Sequence, residues 1–228
     1  KTAYVWIFGR DAGGRAIKEE MEKMGVKEFI SEDKNKKTAY SIVLSVSNKE
    51  RTILVYHGAC HYLTVKDIPF NQLKAGWFYV AGLSGESAKT LLPIINFAKK
   101  NKIKVALNPG AAQLALRLKG LKNILSTVDV LLLNQEEGAK LSGLPFNREK
   151  EIFKKLDKYV RGIVVMTKGP KGVVVSDGKY IYSAGTFKEK KYVDRTGAGD
   201  AFGAGFVSGL MRAGKIEYAI RLGTANGT

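Results

Sequence analysis

The stretch Val128-Asp129-Val130-Leu131-Leu132-Leu133-Asn134-Gln135-Glu136-Glu137 decides the fold class. Residues 128–133 form a nearly continuous apolar run with polar flanks, which suits a strand buried on both faces. An amide and two acids then open a helical stretch over residues 136–142. The same handover recurs on either side. Towards the N-terminus, strands are predicted at 77–81 and 103–107, with a helix over 88–100 between them whose Leu91, Leu92, Ile95 and Ala98 share one face, and a short helical stretch follows at 113–119. Towards the C-terminus, a helix over 149–159 carries Ile152, Phe153, Leu156 and Tyr159 in register and leads to a strand at 162–166. Buried strands joined by amphipathic helices predict an α/β fold: a doubly wound, mostly parallel sheet flanked by helices, with right-handed connections.

The ends of the chain read differently. Residues 11–25 place Ile17, Met21 and Met24 at helical spacing and stop on Gly25, predicting a helix with a glycine terminator. Two β-rich runs, 38–46 and 51–56, flank the polar tetrad Ser47-Asn48-Lys49-Glu50 and predict a strand pair. The predicted order there is helix, then hairpin. A second hairpin is expected where Asp177-Gly178 joins 172–176 to 179–183, and a final helix begins at 199–212. No repeat, low-complexity segment or linker interrupts the chain, so one domain over 1–228 is expected.

Length and composition bound the rest. A chain of 228 residues with 45% hydrophobic and 26% charged residues is built to bury a core, which argues against disordered, collagenous and disulfide-scaffold classes. The net charge of +17 favours anionic ligands, although the lysines spread over nearly every helix and also read as a solvated surface. A single cysteine, Cys60, suits a reducing compartment, and no apolar run approaches the ~18 residues of a spanning helix. A cytoplasmic location is the expectation. Neither a signal peptide nor an initiator Met is visible, so the natural N-terminus is expected to lie elsewhere.

In an open parallel sheet, ligands collect outside the carboxyl ends of the strands. Four places qualify: Asn108, Asn134–Glu137, residues 167–172, and residues 194–200. In the last, Gly197-Ala198-Gly199 precedes Asp200 at a helix start. Backbone N–H groups there can approach an anion unobstructed, with the helix dipole behind them. A carboxylate at Asp200 can then take a proton from an alcohol attacking a bound phosphoryl group. The same residues also suit a tight turn that packs a helix, with Asp200 complementing the dipole. Asn134 and Glu137, three apart, can share one side of a first helical turn and hold hydrated Mg2+, or simply cap the helix. Thr167-Lys168-Gly169-Pro170-Lys171-Gly172 offers bare backbone to a nucleotide, or a plain strand connection.

Other motifs fail. Lys89-Thr90 lacks the preceding glycine of a P-loop, and no G-x-G-x-x-G follows a strand. His57-Gly58-Ala59-Cys60-His61 gathers both histidines and the cysteine, but five contiguous residues rarely surround one ion and no further Cys or His completes a zinc site.

Together these residues resemble the ribokinase-like, or pfkB, family of carbohydrate and nucleoside kinases. Asp194-Arg195-Thr196-Gly197-Ala198-Gly199-Asp200-Ala201-Phe202 is similar to its D-x-T-G-A-G-D-x-F signature, Asn134–Glu137 to its N-x-x-E motif, and residues 167–172 to its nucleotide loop. Weaker similarities are Gly9-Arg10-Asp11-Ala12-Gly13-Gly14, Glu50-Arg51-Thr52, Gly58-Ala59 and Asn108-Pro109. The resemblance implies a kinase using ATP and Mg2+, and in some members K+. Asp200 would be the base, and Gly197, Ala198 and Gly199 the anion hole. Glu137 and Asn134 would organise the metal, and Asn134, Thr167, Lys168, Gly169 and Gly172 the nucleotide. Asp200, Asn108 and Arg51 would meet the acceptor, beneath a small β lid of which 38–56 resembles a part. The implied partner is a small sugar or nucleoside, with neither nucleic acid nor membrane; a homodimer is left open. The family's opening strand with its substrate-binding Asp and Gly-Gly element is not found before Gly9, and the family normally continues past Thr228, so both ends are expected to be incomplete.

Overall fold

The computed structural model describes residues 1–44, 52–187 and 196–227. The chain divides into two compact units, Lys1–Lys74 with Leu83–Phe97, and Ala75–Gly82 with Ala98–Thr228. In the first, strand β1 (Ala3–Gly9), helix α1 (Ala12–Lys23) and strand β2 (Lys27–Asp33) follow one another, and β1 pairs with β2 in parallel with Gly9 opposite Asp33. Asp11 caps α1 by accepting a hydrogen bond from the Gly14 N–H, and the chain turns out of the helix through Gly25 at φ +67°.

Helix α1 is the one expected, but its flanking strands correct the order to strand, helix, strand, hairpin. Burial along β1 grades from exposed at Ala3 to buried at Ile7–Gly9, and β2 mixes Lys27, Glu28, Glu32 and Asp33 with Phe29 and Ile30. Neither therefore presents the unbroken apolar run of a central strand. The hairpin forms as β3 (Tyr40–Leu44) and β4 (Thr52–Tyr56), antiparallel with Tyr40 opposite Tyr56. All ten of its residues are exposed. Of the rest of the expected strand pair, Thr38 and Ala39 precede β3 without joining it, whereas residues 45–46 and Arg51 lie outside the described residues. Ile7, Ala59, Leu63 and Ile68 form this unit's buried cluster, with Trp6, Phe70 and Ile94 against it.

The second unit carries the alternation. Strand β5 (Trp77–Val80) starts it; helix α2 (Leu91–Lys100), whose residues up to Phe97 belong to the first unit, follows in the chain before strand β6 (Lys104–Leu107). Helices α3 (Ala111–Ala115) and α4 (Arg117–Leu125) follow, then strand β7 (Val130–Asn134), helices α5 (Gln135–Ser142) and α6 (Glu149–Leu156), and strand β8 (Ile163–Thr167). The hairpin β9 (Val173–Ser176) and β10 (Ile181–Ala184) and the helices α7 (Ala198–Ala213) and α8 (Ile216–Gly227) complete the unit. The six-stranded sheet runs β5-β6-β7-β8-β9-β10, with its first four strands parallel and the last two antiparallel.

Alternation along the buried strands sends side chains to two helical layers. Val130, Leu132, Val165 and Val175 join Phe202, Phe206, Val207, Ala219 and Ile220 of α7 and α8. Met166 points the opposite way, against Gly138 of α5, beside Ile152 of α6. Each fully buried side chain of this kind contributes roughly 1.5–3 kcal/mol. Helices therefore cover both faces of a mostly parallel sheet, the predicted fold class. Three details differ from expectation. The helix over 88–100 begins as a 3-10 segment, Gly85–Thr90. The stretch around 113–119 is two helices that break at Arg117, φ +57°. The helix over 199–212 is not the last, because α8 packs along it. Among the described residues no helix is long and apolar enough to cross a membrane.

Candidate active site

The sheet brings the C-terminal ends of β7 and β8 side by side, with Asn134 opposite Thr167. Asn134 caps α5, its Oδ1 accepting from the Glu137 N–H at 2.8 Å, while Glu137 Oε2 accepts from the Asn134 N–H at 2.8 Å. This capping box is one of the two readings of the sequence, and it fixes the Glu137 carboxylate at the sheet edge. Burial pushes the Glu137 carboxyl pKa up, the bond from the Asn134 N–H opposes this, and the nearby charges of Glu136 and Asp200 raise it further. Asp200 and Glu137 thus share one electrostatic neighbourhood.

Helix α7 begins at Gly197, whose φ of +81° is left-handed and which offers no side-chain cap. The first N–H groups of a helix have no intrahelical acceptor. Among the described residues, a Cβ placed on Gly197 or Gly199 would meet nothing within 4 Å. The bend is therefore open main chain, and Asp200 stands exposed in the first turn beside it. Asp194 and Arg195 lie outside the described residues. Small residues hold this helix start in place from behind. Gly205 and Gly209 of α7 meet Gly223 and Ala219 of α8 in close backbone contact, Gly227 packs on the Ala198 carbonyl, and Asn226 Nδ2 donates to the Ala201 carbonyl at 2.6 Å.

Other predicted residues are placed as follows. Asn108 follows β6 and spends its amide on the Leu132 carbonyl, 3.1 Å away, tying β6 to β7. Thr167 ends β8, and its hydroxyl lies 3.5 Å from the Leu133 carbonyl. Gly169, φ +55°, has open space where a side chain would stand. Gly172, φ +85°, lies so close to the Ala184 carbonyl that any Cβ would collide with it, so its identity has a structural cause. Lys168 turns its ammonium to Glu149, 2.6 Å away and partly buried, so its charge is engaged by α6.

One site residue carried no signal in the sequence. Tyr79, in the middle of β5, sets its hydroxyl hard against Gly203, one turn beyond Asp200. Burial pushes the phenol pKa up to about 12, with the charges of Asp200 and Glu137 adding to it. Strand residues inside an apolar run read as core, and only the fold brings this one to α7.

The donor set was weighed for a metal. Among the described residues no three His, Cys, Asp or Glu side chains gather in a metal-holding group. Mg2+ nevertheless needs only one or two carboxylates beside waters and phosphates. Glu137, raised chiefly by burial and further by the charges of Glu136 and Asp200, fits that demand together with Asp200, because a cation would offset both effects.

An open helix start with a flanking carboxylate and a second acid nearby is an arrangement that suits an anionic ligand such as phosphate. The family model of pfkB family carbohydrate kinases matches residues 1–228, and the chain belongs to that family. A cytidine kinase of Thermococcus kodakarensis is 31% identical over 158 residues, covering 68% of this chain and 55% of the relative. A ribokinase of Haemophilus influenzae is 27% identical over 99% of this chain and 73% of its own length. Among solved structures, a probable sugar kinase from Rhizobium etli superposes with a TM-score of 0.88 at 20% identity, over all of this chain and 70% of that one. An adenosine kinase from Sinorhizobium meliloti does so at 0.86 and 21%, over 99% and 70%. The chain thus spans a little over half the length of the cytidine kinase and about 70% of the others.

Proposed function

We propose that this chain carries the transfer site of an ATP-dependent kinase that phosphorylates a hydroxymethyl group of a small carbohydrate. The observation that carries this reading is the open bend Gly197-Ala198-Gly199 at the start of α7, with Asp200 exposed in its first turn. Backbone N–H groups of Ala198 and Gly199 hold the oxygens of the migrating phosphoryl group as its charge spreads in the transition state. Asp200 accepts the proton of the acceptor hydroxyl as its oxygen attacks in line, and the ADP oxygen leaves on the far side. Mg2+, when bound, would neutralise phosphate charge, and Glu137 and Asn134 are the residues that would hold it; the capping bonds between them keep Glu137 still. Gly169 leaves backbone free for the nucleotide, and Thr167 stands at the end of the neighbouring strand.

A nucleoside acceptor is the second reading, favoured by the similarity to the cytidine kinase. An assay of ADP release across pentoses, hexoses, keto-deoxy acids and nucleosides tests both. Acceptor-dependent turnover with a sugar supports the first reading, turnover with nucleosides alone supports the second, and turnover with neither overturns the kinase assignment.

A further inference from the structure

An isolated two-stranded hairpin is marginal in water, and β3–β4 shows solvent on all ten of its residues. Its place must be set at its root. There the chain enters through Lys37 and Thr38 and leaves through His57, Gly58 and Ala59. The Ala59 N–H donates to the Lys37 carbonyl at 2.8 Å, and Gly58, at φ +49°, approaches that same carbonyl more closely than any side chain would allow.

The entering strand is fixed to one carboxylate. Asp11 Oδ2 accepts from the Thr38 N–H at 2.8 Å, and Oδ1 accepts from the Thr38 hydroxyl at 2.7 Å and from the Gly14 N–H at 2.9 Å. The Thr38 hydroxyl in turn accepts from the Gly9 N–H at 3.1 Å, and Thr38 is buried. Three donors, one local at Gly14 and two from Thr38, 27 residues away, thus converge on Asp11, at the point where β1 ends and α1 begins. A helix cap needs only one of them. The other two have no function in α1.

We infer that Asp11 is a positioning residue for the β3–β4 hairpin, anchoring its root through Thr38 so that the exposed strands stand in one place. The anchor itself is independent of the activity. Its effect on catalysis rests on the kinase reading and on the family resemblance, by which 38–56 is similar to part of a small β lid.

The test is backbone hydrogen exchange on the whole chain, with Asp11→Asn, Thr38→Val and Thr38→Ser, alongside acceptor KM and kcat. Asn still caps α1, because it keeps one oxygen for Gly14, but its amide faces the Thr38 N–H donor to donor. Valine keeps the shape of Thr38 and removes the hydroxyl; serine restores it. Exchange in residues 40–44 and 52–56 is expected to rise about tenfold or more in Asp11→Asn and Thr38→Val, while β1, α1 and β2 change less than threefold and Thr38→Ser stays near the unaltered chain. Unchanged hairpin exchange overturns the assignment, and so does an equal rise across β1, α1 and β2, which would make Asp11 a general stabiliser. Should Asp11→Asn fail to fold, Thr38→Val and Thr38→Ser decide by the same criteria. With a loosened hairpin, acceptor KM is expected to rise about tenfold with kcat within threefold. A loosened hairpin with unmoved KM leaves the anchor standing and removes the lid from the kinase reading.

Discussion

Asp11 and Asp200 each stand among glycines at the start of a helix, and the fold uses them in opposite ways. Asp11 is the cap residue of α1 and accepts from three donors, so its carboxylate is consumed by structure. Those bonds, from the Gly14 N–H, the Thr38 hydroxyl and the Thr38 N–H, hold its carboxyl pKa down at about 2. Asp200 is three residues past the glycine that caps α7, and no described neighbour stands where a Cβ on Gly197 or Gly199 would sit. A shift of a few positions along a helix start separates an acid that builds the fold from one that, on the proposed reading, acts on a ligand.

Substitutions can break that contrast. The largest effect is expected from Asp200→Asn, which should lower turnover by about 10²–10⁴-fold with ATP affinity within a few-fold, as loss of a general base does. Steady-state kinetics and nucleotide titration check it, and near-normal turnover would remove Asp200 from the chemistry. Next, Gly199→Val fills the open space of the bend. It should weaken nucleotide binding and rate by at least about tenfold, since the donors there lose their access, yet leave the melting temperature nearly unchanged because none of the described residues stands within 4 Å of that space. A fall in both stability and rate would mark the bend as structural.

Gly203→Ala is smaller and of another kind. Its methyl would collide with the Tyr79 hydroxyl, so the chain should lose about 1–3 kcal/mol in denaturant unfolding, the usual result of overpacking. Adding Tyr79→Phe should restore part of that loss; no restoration would mean that the contact is not the cause. The smallest effect is a pH dependence of the hairpin root. Because the Asp11 pKa is depressed in the folded chain, its contribution is complete above about pH 4 and fades as pH falls towards 2. The neighbouring Lys37 charge also favours the carboxylate. Hairpin exchange measured across this window should accelerate in the unaltered chain and be flat in Asp11→Asn.

Where sequence spacing carries physics, it could be read. The apolar run before Asn134 predicts β7, and Asp177-Gly178 predicts the β9–β10 turn, where Gly178 takes φ +83°. The bend at Gly197 was legible because open glycine at a helix start has few uses. Other features depend on tertiary approach and leave no local pattern. Thr38 reaches Asp11 across 27 residues, and Tyr79 looks like any core strand residue until α7 lies over it. Strands β1 and β2 were hidden by their partial exposure and charge. The close α7–α8 packing was written in plain spacing, Gly205 and Gly209 against Ala219, Gly223 and Gly227, but glycines four apart declare their role only once a partner helix is known. The roles of Asn134 and Gly172 stayed ambiguous for another reason, since each has a complete structural explanation beside any catalytic one.

The claim on which the account turns is that the main chain at the start of α7 grips the phosphoryl group in flight. Amide chemical shifts of the isotope-labelled chain, followed as ADP, Mg2+ and aluminium fluoride are added, test it directly. The largest displacements are expected at Ala198, Gly199 and Asp200; if those amides stay still while the nucleotide binds and shifts others, the bend is not the transfer site.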